Sequence, residues 1–231
     1  LGPWSALAQN TGLPIEQVKI VNGFPAGGTA DATSRRVGDK LAGSPYSKNA
    51  AVVENKTGAA GRIAIDTIKN GPADGSNLLL TPYSMMAVYP HIYKNLAYNA
   101  FTDVTPVTLA CVFDFGFCVG PAVPDSVEHI PEFLAWCKAN PDKANYGSPA
   151  AGSMPHFLGE LLAKNANLTL THVPFQGGAP MVQNLLGGQI SIAFDTPAEF
   201  AEQHRAGKLR LLAVSSAQRA AQFPEVPTFQ E

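Results

Sequence analysis

Three short stretches carry most of the chemistry this sequence can offer: "GFPAGGTAD" from Gly23 to Asp31, "YGSPAAGSMPH" from Tyr146 to His156, and "VPFQGGAPM" from Val173 to Met181. Each follows a β-rich run and leads into a helical pattern. Such a turn lets backbone approach a ligand closely, and the helix start beyond it offers unpaired N–H groups and a positive dipole end. In the first stretch Gly27 and Gly28 precede Thr29, Ala30 and Asp31. The second places Ser148 at a strand end and brings Gly152 and then Ser153 where an N-cap is wanted. The third ends its strand at Phe175 and enters a helix through Gly177, Gly178 and Ala179, with Pro180 near the first helical position.

These are anion sites in outline, and carboxylate suits them better than nucleotide phosphate. A Walker loop needs Lys and a hydroxyl residue after its second glycine, and a dinucleotide fingerprint needs GxGxxG. A hydrogen bond to a charged group contributes about 1.5–3 kcal/mol and a helix end about 0.3–1 more, so two loops can reach the roughly 8 kcal/mol of a micromolar complex. The three loops contain neither Arg nor Lys, although Arg62, after "TGAAG", starts a further helix and could approach the same cleft.

Catalysis finds little support. Ser153 and His156 share a helix face, but a Ser–His pair also needs an orienting acid and an oxyanion hole, and no G-x-S-x-G elbow is present. His91, His129, His156, His172 and His204 are scattered without zinc-ligand spacing. His156 reads as a helix-face residue beside the ligand loop. Asp31 and Asp195 read as anchors for backbone N–H groups at strand or helix ends, and Asp195 is also placed to meet ligand or water. No cofactor and no metal are expected.

Apolar runs and helical patterns alternate to position these loops. "VKIV" precedes a helix from 30 to 41, "AAVVEN" a helix from 63 to 69, and "NLLLTP" a looser stretch through "MMAVYPHIY". A long apolar run, "VTPVTLACVFDFGFCVG", then reads as one extended segment. Beyond Pro121 come helix 130–140, strand 144–148, helix 152–165, strand 168–175, helix 179–188, strand 190–196, helix 197–207 and strand 209–216. The rhythm implies an α/β fold with mostly parallel sheets, in two halves that cross over near 115–120. A ligand then belongs in the crevice at the carboxyl ends of the strands.

At 231 residues the chain can bury a sizeable core as one large domain or two small ones. A net charge of -2 with 15% charged residues leaves no basic footprint for nucleic acid, and no apolar run reaches membrane-spanning length. "LGPWSALAQN" carries Ala6 and Ala8 in an A-x-A pattern, so residues 1–8 read as the tail of a secretory signal. Cys111, Cys118 and Cys137 read as small buried hydrophobes, with Cys118 and Cys137 the one pair considered for a disulfide.

Taken together, "VNGFPAGGTADATSRRVGDKL", "VVENKTGAAGRIAIDTIKNGPADGSNLLLT", "YGSPAAGSMPHFLGELL", "THVPFQGGAPMVQNLLGGQISIAFD" and "AGKLRLLAVSSAQRAAQFPEVPT" resemble the Bug-type solute receptors of tripartite tricarboxylate transporters. The resemblance runs from about Val18 to Gln230. It implies a type II periplasmic binding protein, a monomer of two α/β domains that closes on a small organic acid and delivers it to a membrane permease. The corresponding limits are 18–117 and 118–231, after an N-terminal extension at 1–17. Carried over, the ligand residues are Phe24, Ala26, Gly27, Gly28, Thr29 and Asp31, then Ser148, Gly152, Ser153 and His156, then Phe175, Gly177, Gly178 and Ala179. Asp195 belongs to the family's "FD", and Ser84 is a further candidate on the first domain.

The family usually has a basic residue where Gln176 stands and a small polar one where Arg62 stands, so distal specificity does not transfer. It also continues beyond "EVPTFQE" through segments that complete the first domain, so that domain is expected to be incomplete here. The alternatives are an α/β enzyme acting on a small carboxylate and a receptor that reports to a signalling system.

Overall fold

The computed structural model describes residues 14–231; the signal-like stretch 1–8 lies outside them. Two sheets organise the chain. In the first, β1 (Lys19–Asn22) lies between β2 (Val52–Asn55) and β3 (Asn77–Leu80), all parallel. In the second, the order is β6 (Thr171–Pro174), β5 (Asn145–Ser148), β7 (Ile192–Asp195), β4 (Gly116–Val119) and β8 (Arg210–Val214). β5 runs parallel to both β6 and β7, whereas β4 runs antiparallel to both β7 and β8. The fold is α/β with two such lobes, as a type II periplasmic binding protein has.

Helices α1 (Thr29–Leu41) and α2 (Arg62–Lys69) accompany the first sheet, followed by the short α3 (Ser84–Ala87) and α4 (Tyr89–Ile92). Helices α5 (Ile130–Ala139), α6 (Met154–Ala166), α7 (Gly178–Leu186) and α8 (Pro197–Arg205) accompany the second. Each of the three loops singled out above therefore joins a strand to the helix that follows it.

The second lobe holds the thicker core. Phe117 meets Phe133 and Phe194 edge-on at ring centroid distances of 5.0 and 5.1 Å, with Val119, Tyr146 and Ile192 completing one face. Cys118, Met181, Leu185, Phe200, Leu211 and Phe223 form the other. Period-two alternation along β4 sends Phe117 one way and Cys118 the other, so a single strand feeds both faces. The first lobe has a smaller cluster around Ile65, Met85, Tyr89 and Tyr98.

Three expectations are corrected. The apolar run from 104 to 120 is strand only from Gly116 to Val119; Val107, Leu109 and Val112 are each at least three-quarters exposed, and Pro106 removes one ladder donor among them. With no partner strand among the described residues, that apolar stretch has nothing to bury against. The crossing between sheets accordingly precedes Gly116, because β4 is already an interior strand of the second sheet. Finally, Cys111 is exposed and all three cysteines are free. Cys118 and Cys137 are buried on opposite faces of the five-stranded sheet, which excludes a bridge between them.

Candidate functional site

The first loop is built around Asp31. Its Oδ2 accepts from the N–H of Gly27 at 3.0 Å and from Arg35 Nε at 3.0 Å, while its Oδ1 accepts from Arg35 Nη2 at 3.0 Å and Asn55 Nδ2 at 2.9 Å. Burial alone would raise the Asp31 carboxyl; the hydrogen bonds from Arg35, Gly27 and Asn55 outweigh it and hold the group below its ordinary range. Asn55 also donates to the carbonyl of Phe24, and Asn22 Oδ1 accepts from the N–H of Phe24, so strand ends clamp the turn from both sides. Gly27 takes φ +87°, a backbone state that suits glycine. Both Asp31 oxygens are thus committed, and the residue positions the loop.

The second lobe contributes two loops tied to each other. Ser148 Oγ donates to the carbonyl of Ala150 at 3.1 Å and lies 2.8 Å from His172 Nε2. Ser153 caps α6: its Oγ accepts from the N–H of His156 at 3.4 Å and donates to the carbonyl of Ala150 at 2.7 Å. His156 Nδ1 accepts from the N–H of Gly152 at 3.1 Å, and its ring stacks on His172 with centroids 3.9 Å apart. Burial, then the neighbouring His156, bring His172 down to about 4, and burial also lowers His156. Ser153 and His156 therefore make a cap; they are not a nucleophile and its base. Gly177 donates to the carbonyl of Pro149 at 2.8 Å, and Phe175 to that of Ser148 at 2.9 Å, which fastens the third loop to the second.

The lobes meet across these loops. Thr29 Oγ1 lies 2.7 Å from Thr196 Oγ1 and donates to Glu199 Oε1 at 2.8 Å, and the N–H of Thr29 donates to the same carboxylate. A Cβ on Gly177 would stand 2.5 Å from Pro25 Cδ, so only hydrogen allows that approach. On the other side, the hydroxyls of Tyr89 and Tyr93 lie 3.3 and 3.2 Å from the carbonyl of Ala151, and a Cβ on Gly152 would press on Ile92. Between these contacts the N–H groups of Gly28, Ala30, Gly178 and Ala179 have no acceptor among the described residues. Four N–H groups without acceptors at two helix starts, one in each lobe, are the kind of donor set that suits an anion.

The model of the tripartite tricarboxylate transporter family receptor matches residues 38–231. The chain belongs to this family. Its sequence is 33% identical over 236 residues to the UPF0065 protein in gbd 5'region of Cupriavidus necator, covering 100% of this chain and 68% of that protein. It is 30% identical to BugT of Bordetella pertussis, covering 94% of this chain and 66% of BugT. The solved structure of R. palustris Rpa4515 with adipate superposes with a TM-score of 0.86 at 28% identity, covering 94% of this chain and 71% of that one. The chain therefore spans about two thirds of the length of the curated relatives it matches.

Within this receptor fold, the structure brings Ala26 to Thr29, Gly152, Gly177 to Ala179 and Asp195 to the interface between lobes or its margin. Ser148, Ser153 and His156 face inward and shape their loop. Phe175 is half-buried against the second core cluster, and Ser84 opens α3 beside Met85, with no hydrogen bond to either loop. Reading the sequence missed Pro25, Tyr89, Tyr93, Thr196 and Glu199. The last two had a signal: "FDTPAEF" is a fourth strand-to-helix turn, with Thr196 as N-cap, Pro197 at the first helical position and an acid in the first turn. That pattern explains Glu199 within its own helix. Its reach to Thr29 depends on how the lobes meet, which no local pattern encodes. Arg62 stacks over the Tyr93 ring at 4.1 Å, backing a tyrosine that touches the opposite lobe.

Proposed function

We propose that this chain is a periplasmic solute receptor that captures a small organic carboxylate between its lobes and hands it to a membrane permease. The carrying observation is the pair of helix starts at Gly28 and Gly178, one from each lobe, with unpaired N–H groups beside contacts that cross between lobes. Family membership and the adipate bound by a structurally similar protein support the same reading. Among the described residues no helix is long and apolar enough to cross a membrane, and no group of three or more His, Cys, Asp or Glu side chains is placed to hold a metal ion. Binding then works by population shift: a solute that touches both lobes favours the closed form by its extra affinity for that form.

Native mass spectrometry of the purified protein, followed by thermal shift against a panel of small carboxylates, tests the proposal. A co-purified acid, or stabilisation that rises with acid concentration and vanishes in Gly178→Leu, is expected. Absence of both a bound acid and any shift across the panel would refute it.

A further inference from the structure

The turn that brings the second lobe against Tyr89 and Tyr93 hangs on an unprotonated histidine. Gly152 is buried with φ +79°, and its N–H donates to His156 Nδ1 at 3.1 Å. An acceptor at Nδ1 requires that the neutral ring carry its hydrogen on Nε2. The preceding carbonyl, that of Ala151, accepts from both tyrosine hydroxyls, and a Cβ on Gly152 would stand 2.5 Å from Ile92 Cδ1. The bond from Gly152 thus fixes, within the second lobe, the two residues that touch the first.

His156 stacks on His172, with ring centroids 3.9 Å apart and 19° between the planes. Ser148 Oγ gives its hydrogen to the carbonyl of Ala150, so at 2.8 Å it is left to accept from His172 Nε2–H, and that ring is neutral as well. Besides His172 on β6, the titratable groups facing His156 are Glu160 on α6 and Tyr146 on β5. Glu160 Oε1 lies 3.8 Å from His156 Nε2 and accepts from the Tyr146 hydroxyl at 2.7 Å. No Asp, Lys or Arg among the described residues bonds to either imidazole. Two positive rings at this spacing repel, so the stack takes one proton before it takes two. Glu160 directs that proton to His156, where Nδ1 is the nitrogen open to it. Nδ1–H then faces the Gly152 N–H, donor against donor, and a buried N–H loses its acceptor.

We propose that His156 is a pH-sensitive catch on lobe closure: neutral, it holds the Ala151–Gly152 turn against Tyr89 and Tyr93; protonated, it frees the turn and weakens solute binding. The inference rests on the receptor reading above and adds the condition under which such a receptor lets its solute go. Burial, opposed by Glu160, keeps the His156 ring below its ordinary pKa in the closed form. Closure is therefore supported in full above about pH 6.5, where a freed imidazole is neutral too, and that support is lost as pH falls below it. One proton taken up on opening weakens binding by at most about 10-fold per pH unit.

Titration calorimetry with adipate and with malate, at about pH 7.5 and about pH 5, tests it. Between the two conditions the wild-type affinity should fall about 3- to 10-fold more than that of His156→Gln, whose amide oxygen can still accept from Gly152 and whose side chain never charges. The solute's own protonation is common to both proteins and cancels in that comparison. Hydrogen exchange on the solute-free protein is the second readout. The protection factor of the Gly152 amide should drop about 10-fold as His156 takes its proton, while that of the Gly120 amide, bonded to the carbonyl of Ser191, holds. Equal affinity ratios in the two proteins, or a Gly152 amide that stays protected once His156 is charged, would overturn the inference and leave the receptor reading standing. If neither solute nor the wider acid panel binds at any pH, the receptor reading falls, and Gly152 protection alone decides whether His156 governs the turn.

Discussion

Replacing Gly177 by alanine should weaken solute binding through closure of the lobes, without removing any ligand contact. The residue has φ +105° and ψ 171°, a region that side-chain-bearing residues rarely enter, so the substitution costs about 1–3 kcal/mol in any state of the folded protein. At this chain length that lowers Tm by about 2–4 °C per kcal/mol. The added Cβ would also lie 2.5 Å from Pro25 Cδ, about 1 Å inside ordinary carbon–carbon contact, and this clash exists only when the lobes meet. Retreat by that distance loosens the bonds from Thr29 to Thr196 and Glu199. A loss of at least about 10-fold in affinity, roughly 1.4 kcal/mol, is expected on top of the lower Tm. Gly207→Ala is the control, because Gly207 has φ +69° and nothing within 4 Å of its Cβ position. It should lower Tm with unchanged affinity. Calorimetric titration of both variants with the tightest acid of the panel decides the matter: equal affinities in Gly177→Ala and Gly207→Ala would refute the closure argument.

Other predictions address different parts of the molecule. The variant carrying both Tyr89→Phe and Tyr93→Phe loses the hydroxyls facing Ala151 across the lobes, and should bind solute about 3- to 10-fold more weakly with little change in far-UV circular dichroism. His172 stays neutral down to about 4 in the folded protein while an unfolded histidine protonates near 6.5, so the unfolded state binds its proton first as pH falls. Stability from this group should be complete above about pH 6.5 and be lost as pH falls from there to about 4; His172→Gln should flatten that limb of a Tm-against-pH curve. Asp195 has the opposite sign: its folded-state carboxyl is raised, so its contribution is lost as pH rises through that higher value. A thiol reagent should label Cys111 alone in the native protein, and Cys118 and Cys137 only after unfolding, because burial both shields those two thiols and raises their pKa.

The strand-to-helix turns were legible because they are local: glycines, a capping serine and a proline at the first helical position carry their meaning within a few residues. The helices from Thr29, Ile130, Met154, Gly178 and Pro197 lie close to where their patterns place them for the same reason. What depends on partners distant in sequence was not legible. The antiparallel sense of β4 is set by β7 and β8, and the exposure of 105–113 by the lack of a neighbouring strand among the described residues. The role of Asp31 was half legible, since an acid in a first turn suggests an anchor. Its pairing with Arg35 is an i, i+4 contact within α1, whereas the bond from Asn55 emerges only when β2 lies beside β1. Glu199 is the furthest case, a residue whose own helix accounts for it locally while its partner belongs to the other lobe.

The position of β4 also bears on how the chain reaches its native state. The first strand of the second sheet to be synthesised is an interior one, and both strands that flank it come last. Phe115, at its edge, bonds to Ser215 across a sequence separation of 100 residues. Until β7 and β8 arrive, Phe117 and Val119 have no sheet to complete, while β5 and β6 can pair with only a helix between them. Long-range closure of this kind slows folding. The second lobe should therefore assemble late and nearly all at once, after a lag in which β4 remains open to chaperone capture.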